Sequence, residues 1–212
     1  MKCCPLITID ESHVGKQLRR INTKKSPGPD GISGKLLREC CDQLAPVFHF
    51  LYQTSLNMMY IPKIWRTSLI VPVPKKQLPK EMNDLRPVAL TSIAMKTFER
   101  LILKELTSST PSDENQFAHK QNRSVNDATL TLLHNLYEHT DALNNFARVL
   151  FVDFSSAFNT IQVHVLMRKL ESMTVNSNLI LWIKEFLTNR VQYVKFKFIP
   201  LSLFVDMIIL QV

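Results

Sequence analysis

From Leu37 through Cys41, Leu44, Phe48 and Leu51 to Leu56, apolar residues recur every three to five positions. This spacing predicts an amphipathic helix that begins near Lys35 and breaks or kinks at Pro46. After Pro62 the period changes. In "RTSLIVPVPKK", Thr67, Leu69, Val71 and Val73 alternate with Ser68, Ile70, Pro72 and Pro74, which predicts a strand, and the prolines place it at a sheet edge. The polar run "KKQLPKEMNDL" leads into "RPVALTSIAMKTFERLILKEL", where Ala94, Phe98, Leu101 and Ile102 predict a helix of about four turns.

The second half alternates helix and strand. Ser124 followed by Asp127 reads as a helix start, with Ala128, Leu132, Leu133, Leu136 and Tyr137 on one face. Val149 to Phe154 reads as a buried apolar strand, Val163 to Leu170 and Leu179 to Leu187 as helices, and Val191 to Phe198 as another strand. The class is α+β. Upstream, "KKSPGPDGISGK" holds two prolines and three glycines, which predicts a tight turn opening a helix. It is not a Walker phosphate loop, because Pro29 stands where that pattern needs Gly and Leu36 where it needs Ser or Thr. Nor is it a dinucleotide fingerprint, since Gly28, Gly31 and Gly34 are evenly spaced.

Composition narrows the partners. The 212 residues suit one domain, or one domain and part of another, and a formal charge of +8 favours a polyanion. That charge is concentrated: between Asp42 and Glu81 there is no acid, while Lys63, Arg66, Lys75, Lys76 and Lys80 are present. The four cysteines form adjacent pairs, Cys3-Cys4 and Cys40-Cys41, without the two-residue gap of a zinc knuckle. Acids at Asp10 and Glu11 interrupt any signal-peptide core, which predicts an intracellular protein, in nucleus or cytoplasm. The apolar tail "FIPLSLFVDMIILQV" is too short for a membrane span and carries Pro200 and Asp206.

In "RVLFVDFSSAF", Asp153 stands where a strand would end, a position that fits either a helix cap or a ligand-binding carboxylate. Five stretches in order, "KSPGPDGI", "PKIWRTSLIVPVPKK", "NDLRPVALTSIAMKTFERLI", "QFAHKQNRSVNDATLTLLHNL" and "VLFVDFSSAFNTI", resemble successive blocks of a LINE-type (non-long-terminal-repeat) retrotransposon reverse transcriptase. The resemblance runs from Ile7 to Phe196. It implies the fingers and an incomplete palm of a right-hand polymerase. The implied divisions are a linker over 1–24, fingers over 25–145, a partial palm over 146–198 and an unrelated apolar tail over 199–212.

The same resemblance assigns roles. Asp153 matches the acid that holds Mg²⁺ and is catalytic, with the Phe154 carbonyl as a further metal ligand. Ser156 and Ala157 match the position whose backbone N–H groups meet the dNTP triphosphate, and Phe158 the aromatic gate against a ribose 2′-hydroxyl. Lys75, Lys76 and Arg86 match cations that close over the triphosphate. Arg123, in the block with Gln116 and Phe117, matches a template-facing element, and the resemblance implies an RNA template and a DNA primer as partners; Lys63 and Arg66, in the acid-free basic stretch, are candidate nucleic-acid contacts from their charge.

The pattern then departs from the family. The paired-acid strand that completes the metal site is not found; Glu171 and Glu185 lie in predicted helices, and Asp206 lacks a neighbouring acid. Asn159 stands where many relatives have a second acid, a change that members of the LINE type tolerate and that does not itself count against activity. A lone carboxylate grips magnesium weakly. The expectation is therefore a truncated RNA-directed DNA polymerase domain that is inactive by itself, with a non-catalytic basic nucleic-acid-binding module as the alternative. An α+β protein in which Asp153 caps a helix is the third reading.

Overall fold

The computed structural model describes residues 7–109, 113–141, 145–154, 160–173 and 175–194. In chain order the elements are α1 (Glu11–Arg19), α2 (Gly34–Glu39), α3 (Cys41–Met58), α4 (Lys63–Arg66), β1 (Ser68–Pro74), β2 (Leu85–Thr91), α5 (Ile93–Ser109), α6 (Val125–Thr140), α7 (Val163–Ser172), α8 (Ser177–Leu187) and β3 (Gln192–Val194). They fall into two compact units, residues 1–109 with 163–212, and residues 110–162.

The first unit is built around aromatic rings contributed by four elements. Tyr52 of α3 stacks on Phe98 of α5 at 4.3 Å between centroids and meets Trp65 of α4 edge-on at 5.7 Å. Trp182 of α8 meets Phe98 edge-on at 4.9 Å. Such offset and edge contacts suit the ring quadrupoles and add to the gain from burial. The polar handles are satisfied: the Tyr52 hydroxyl donates to the Ala94 carbonyl at 2.7 Å, and the Trp182 Nε1–H donates to Ser55 Oγ at 3.0 Å. Burial pushes the Tyr52 phenol far above its ordinary range, so it stays a neutral donor.

The stretch expected to be a linker folds onto this core. Asp10 caps α1 by accepting from the Ser12 N–H at 3.0 Å, and Val14 and Leu18 are fully buried. The turn at "SPGPDG" opens a helix as expected, with Ser33 Oγ accepting from the Leu36 N–H at 3.2 Å. The break in the next helical pattern falls at Cys40, six positions before the expected Pro46, which α3 contains. The carbonyl that Pro46 leaves without its N–H belongs to Asp42, in the first turn of α3, which limits the disruption.

Gly28 sits tightly against the start of α5. A Cβ there would lie 2.5 Å from the Ser92 nitrogen and the Thr91 carbonyl carbon, both backbone atoms. Gly31, by contrast, has φ +67° and open space around it. Gly28→Ala is expected to cost about 1–3 kcal/mol or more through forced backbone shifts, and Gly31→Ala about 1–2 kcal/mol through backbone strain alone. Urea melts of the two variants would rank them, and a Gly28 variant as stable as the parent would remove the close packing described here.

The sheet has the order β2-β1-β3. β1 pairs antiparallel with β2 along its whole length, from Ser68 opposite Thr91 to Pro74 opposite Leu85, and parallel with β3 only at Ser68–Ile70. The expected edge strand is therefore central over its first half. The hydrogen-bond alternation explains where that ends. The Lys75 N–H donates to the Asp84 carbonyl at 2.8 Å, so odd positions of β1 bond toward β2, while the Ser68 N–H donates to Val191 on the β3 side at 3.0 Å. Pro72 and Pro74 are even positions without N–H groups, and the parallel pairing stops short of them.

β2 lies outside the elements that the sequence pattern predicts, which place Leu85–Thr91 in a connection and the start of the next helix. Its signal is the alternation of Leu85, Pro87 and Ala89 with Arg86, Val88 and Leu90, hidden by charge and proline. α7 and α8 lie where expected, and β3 occupies Gln192–Val194 of the predicted Val191 to Phe198.

In the second unit, α6 starts with the anticipated capping box: the Ser124 N–H donates to Asp127 Oδ2 at 2.7 Å, and the Asp127 N–H to Ser124 Oγ at 3.3 Å. Its apolar face is largely exposed. The predicted strand from Val149 to Phe154 is corrected: residues 145–154 adopt no regular element, and Leu150 and Phe151 are 85% and 83% exposed. An apolar run becomes a strand only where a neighbour supplies the ladder, and the described sheet does not include this one.

Candidate nucleotide and nucleic-acid site

The polar loop between β1 and β2 makes a basic hairpin. Because Val73 faces Arg86 across the ladder, Lys75 and Arg86 fall on the same face as diagonal neighbours. Arg86 is exposed, and the Lys75 ammonium donates to the Asn83 carbonyl at 2.7 Å. Lys76 differs, since its ammonium lies 2.7 Å from Asp84 Oδ1. Asp84 also accepts from the Lys80 and Glu81 N–H groups at 2.8 and 3.1 Å. The Lys76 contact first, and these N–H groups after it, hold the Asp84 carboxyl below its ordinary value.

Asp84 is thus a hairpin-organising residue that the sequence reading missed. Two acids three positions apart across a short 3₁₀ turn, Glu81 and Asp84, are the signal that could have found it. The hairpin keeps Lys75 and Arg86 available to an anion, while Lys76 is partly neutralised.

The other basic-stretch residues separate. Lys63 is exposed at the start of α4. The Arg66 guanidinium forms a 2.7 Å ion pair with Glu185 of α8, and its side chain is only 11% exposed. This contact ties α4 to α8 and engages a charge expected to face nucleic acid. It also accounts for Glu185.

In the second unit, Arg123 lies over the Phe117 ring with its guanidinium carbon 5.5 Å from the centroid. Gln116 Nε2 donates to the Ala118 carbonyl at 3.3 Å. His119 and Asn122 take positive φ on either side of a turn, so this segment is shaped by backbone geometry before α6 begins. Asp153 and Phe154 are both exposed. Ser156, Ala157, Phe158, Asn159 and Asp206 lie outside the described residues. Among the described residues, no group of three His, Cys, Asp or Glu side chains is placed to hold a metal ion, and no helix is long and apolar enough to cross a membrane.

The comparisons with known proteins converge. The family described as "Reverse transcriptase (RNA-dependent DNA polymerase)" matches residues 73–204. The chain is 27% identical over 196 residues to the "Retrovirus-related Pol polyprotein from type-1 retrotransposable element R1" of Bradysia coprophila, covering 90% of this chain and 19% of that protein. It is 25% identical over 177 residues to the "Probable RNA-directed DNA polymerase from transposon BS" of Drosophila melanogaster, covering 80% and 19%. With the "RNA-directed DNA polymerase from mobile element jockey" of the same fly it shares 28% over 103 residues, 48% of this chain and 11% of that protein. The chain spans about a fifth of the length of the first two of these relatives.

Proposed function

Since the chain belongs to the reverse transcriptase (RNA-dependent DNA polymerase) family and is a partial domain of the LINE type, we propose that it carries the fingers and the first part of the palm of that polymerase. The parent reaction adds a dNTP to a primer 3′-hydroxyl on an RNA template. The observation that carries this reading is the span of the family match, which takes in both the Lys75–Arg86 hairpin and the Asp153 segment.

Each side chain then has a task. Lys75 and Arg86 attract the triphosphate, Arg86 as a planar fork and Lys75 as a point charge. Arg123, Lys63 and the backbone near Ser156 and Ala157 are the proposed contacts to template and nucleotide, and Phe158 the proposed gate against the 2′-hydroxyl. The divalent metal on which the family relies is a different matter. Asp153 and the Phe154 carbonyl offer one carboxylate and one neutral oxygen, whereas magnesium takes six ligands in near-octahedral order. These residues alone do not make its site.

A polypeptide of these 212 residues is therefore expected to extend no primer on an RNA template with dNTPs and Mg²⁺ or Mn²⁺, with or without Asp153→Asn. Extension by the parent that Asp153→Asn abolishes would overturn the expected silence and establish Asp153 as catalytic. Extension that survives Asp153→Asn would remove Asp153 from the reaction altogether. The excess of cations on the hairpin favours a second reading, in which the chain binds nucleic acid without catalysis.

A further inference from the structure

A second group of cations lies on the first unit, at the N-terminal half of α5. Lys96 and Arg100 are one helical turn apart on α5 and line a groove of about 380 Å³ between α5 and α8. The rest of the lining is apolar, with Ile102, Leu103, Ile183 and Phe186, apart from Glu99. Lys25 joins them from the residue just before the "SPGPDG" loop. Its backbone is brought toward the start of α5, because Gly28, three positions on, is seated against Thr91 and Ser92, and the Lys96 N–H donates to the Ser92 carbonyl at 3.1 Å.

We propose that Lys25, Lys96 and Arg100 form a phosphate-binding cluster that holds single-stranded RNA along the rim of the α5–α8 groove. Among the described residues, none of the three makes an ion pair within 4.0 Å. Lys25 and Arg100 are exposed and Lys96 half-buried, so their charges are available to solvent. Glu99, which also lines the groove, offsets them only in part. Burial pushes its carboxyl up, and Arg190, which lies over Phe186 at 4.7 Å, acts on it more strongly than Lys96 or Arg100.

The three cations also act on one another. Burial, then Lys25, lower the Lys96 ammonium from its ordinary value, with Glu99 opposing and Arg100 adding to the effect. Like charges held together by a seated loop and a helix repel until an anion with several charges lies across them, and a chain of phosphates is such an anion. The apolar wall next to the rim gives the bases a dry surface. The choice of RNA as the polyanion rests on the family reading; the cluster itself does not.

Fluorescence anisotropy of the full chain with a labelled single-stranded RNA of about 20 nucleotides tests the cluster. Binding is measured between about 50 and 200 mM salt, where each lost phosphate contact reduces the log–log salt slope by about 0.7 for single strands. Replacing Lys25, Lys96 and Arg100 together by Ala is expected to flatten the slope by about 2 and weaken low-salt binding at least about tenfold. Lys25→Arg, Lys96→Arg and Arg100→Lys together should retain both. If Lys96→Ala disturbs folding by circular dichroism, Lys25→Ala with Arg100→Ala should still flatten the slope by about 1.4.

Three results would overturn the proposal. An unchanged slope in the triple variant, alongside a flattened one in Lys75→Ala with Arg86→Ala, removes this cluster and leaves the reverse transcriptase reading in place. Salt-independent binding by the parent removes both. Poly-L-glutamate displacing the RNA at equal charge concentration assigns the cluster to acidic proteins instead.

Discussion

Trp182→Ala is expected to lower the unfolding free energy by about 3–5 kcal/mol, the range for emptying a large aromatic site. Trp182 is 2% exposed, meets Phe98 edge-on and stacks on Phe186 at 5.9 Å. The neighbours come from separate helices and cannot all collapse into the space. A second loss accompanies the cavity. The Ser55 hydroxyl donates to the Tyr60 carbonyl at 2.6 Å and accepts from Trp182, so removing the indole leaves a buried oxygen with one partner fewer. Trp182→Phe keeps much of the volume but not the N–H, and should cost roughly 1–3 kcal/mol. Urea denaturation followed by circular dichroism measures both, and a loss under about 1 kcal/mol for the Ala variant would contradict the core described above.

Deletion of residues 1–20 should have the larger effect, loss of the cooperative fold of the first unit. Val14 and Leu18 are fully buried, and burial of such side chains is worth about 1.5–3 kcal/mol each. Their removal uncovers the faces of α3 and α5 on which α1 packs. The segment before α1 is anchored too: Gln53 receives the Ile9 N–H at 2.9 Å and donates to the Ile7 carbonyl at 2.8 Å, while His49 Nε2 lies 2.9 Å from the Ile9 carbonyl. Against a typical domain stability of about 5–15 kcal/mol, the two side chains alone are a large fraction, and the uncovered faces of α3 and α5 and the lost anchoring bonds add to it. A broad, non-cooperative thermal melt with increased binding of a hydrophobic dye is expected. A truncated chain melting within a few degrees of the parent would sink the prediction. The family match begins at residue 73, yet the unit that folds around its first segment is built from α1 onward.

The sequence made the helices legible where local chemistry fixes them. Ser124 and Asp127 name the start of α6, Ser33 the start of α2, and the spacing of Ala94, Phe98 and Ile102 the buried face of α5. Strands were harder, because their bonds lie between distant segments. β2 carries Pro87 and Arg86 on an exposed hairpin, so it shows no buried stripe, and the apolar run at Val149 to Phe154 has composition without a partner in the described sheet. Among the site residues, Lys75 and Arg86 converge as the hairpin requires, but the Arg66–Glu185 pair joins residues 119 positions apart in the chain, and no local pattern announces it.

The facing prolines of the hairpin have a consequence for assembly. Pro72 and Pro87 oppose each other as a pair without mutual hydrogen bonds, so the N–H that each lacks would have pointed outward, one on each side of the hairpin. Neither flank can therefore template another copy's strand through that position. If this chain clumps during expression, nucleation is expected to begin at Leu150, Phe151 and Val152, and charged replacements there should keep it dispersed where changes to the hairpin do not.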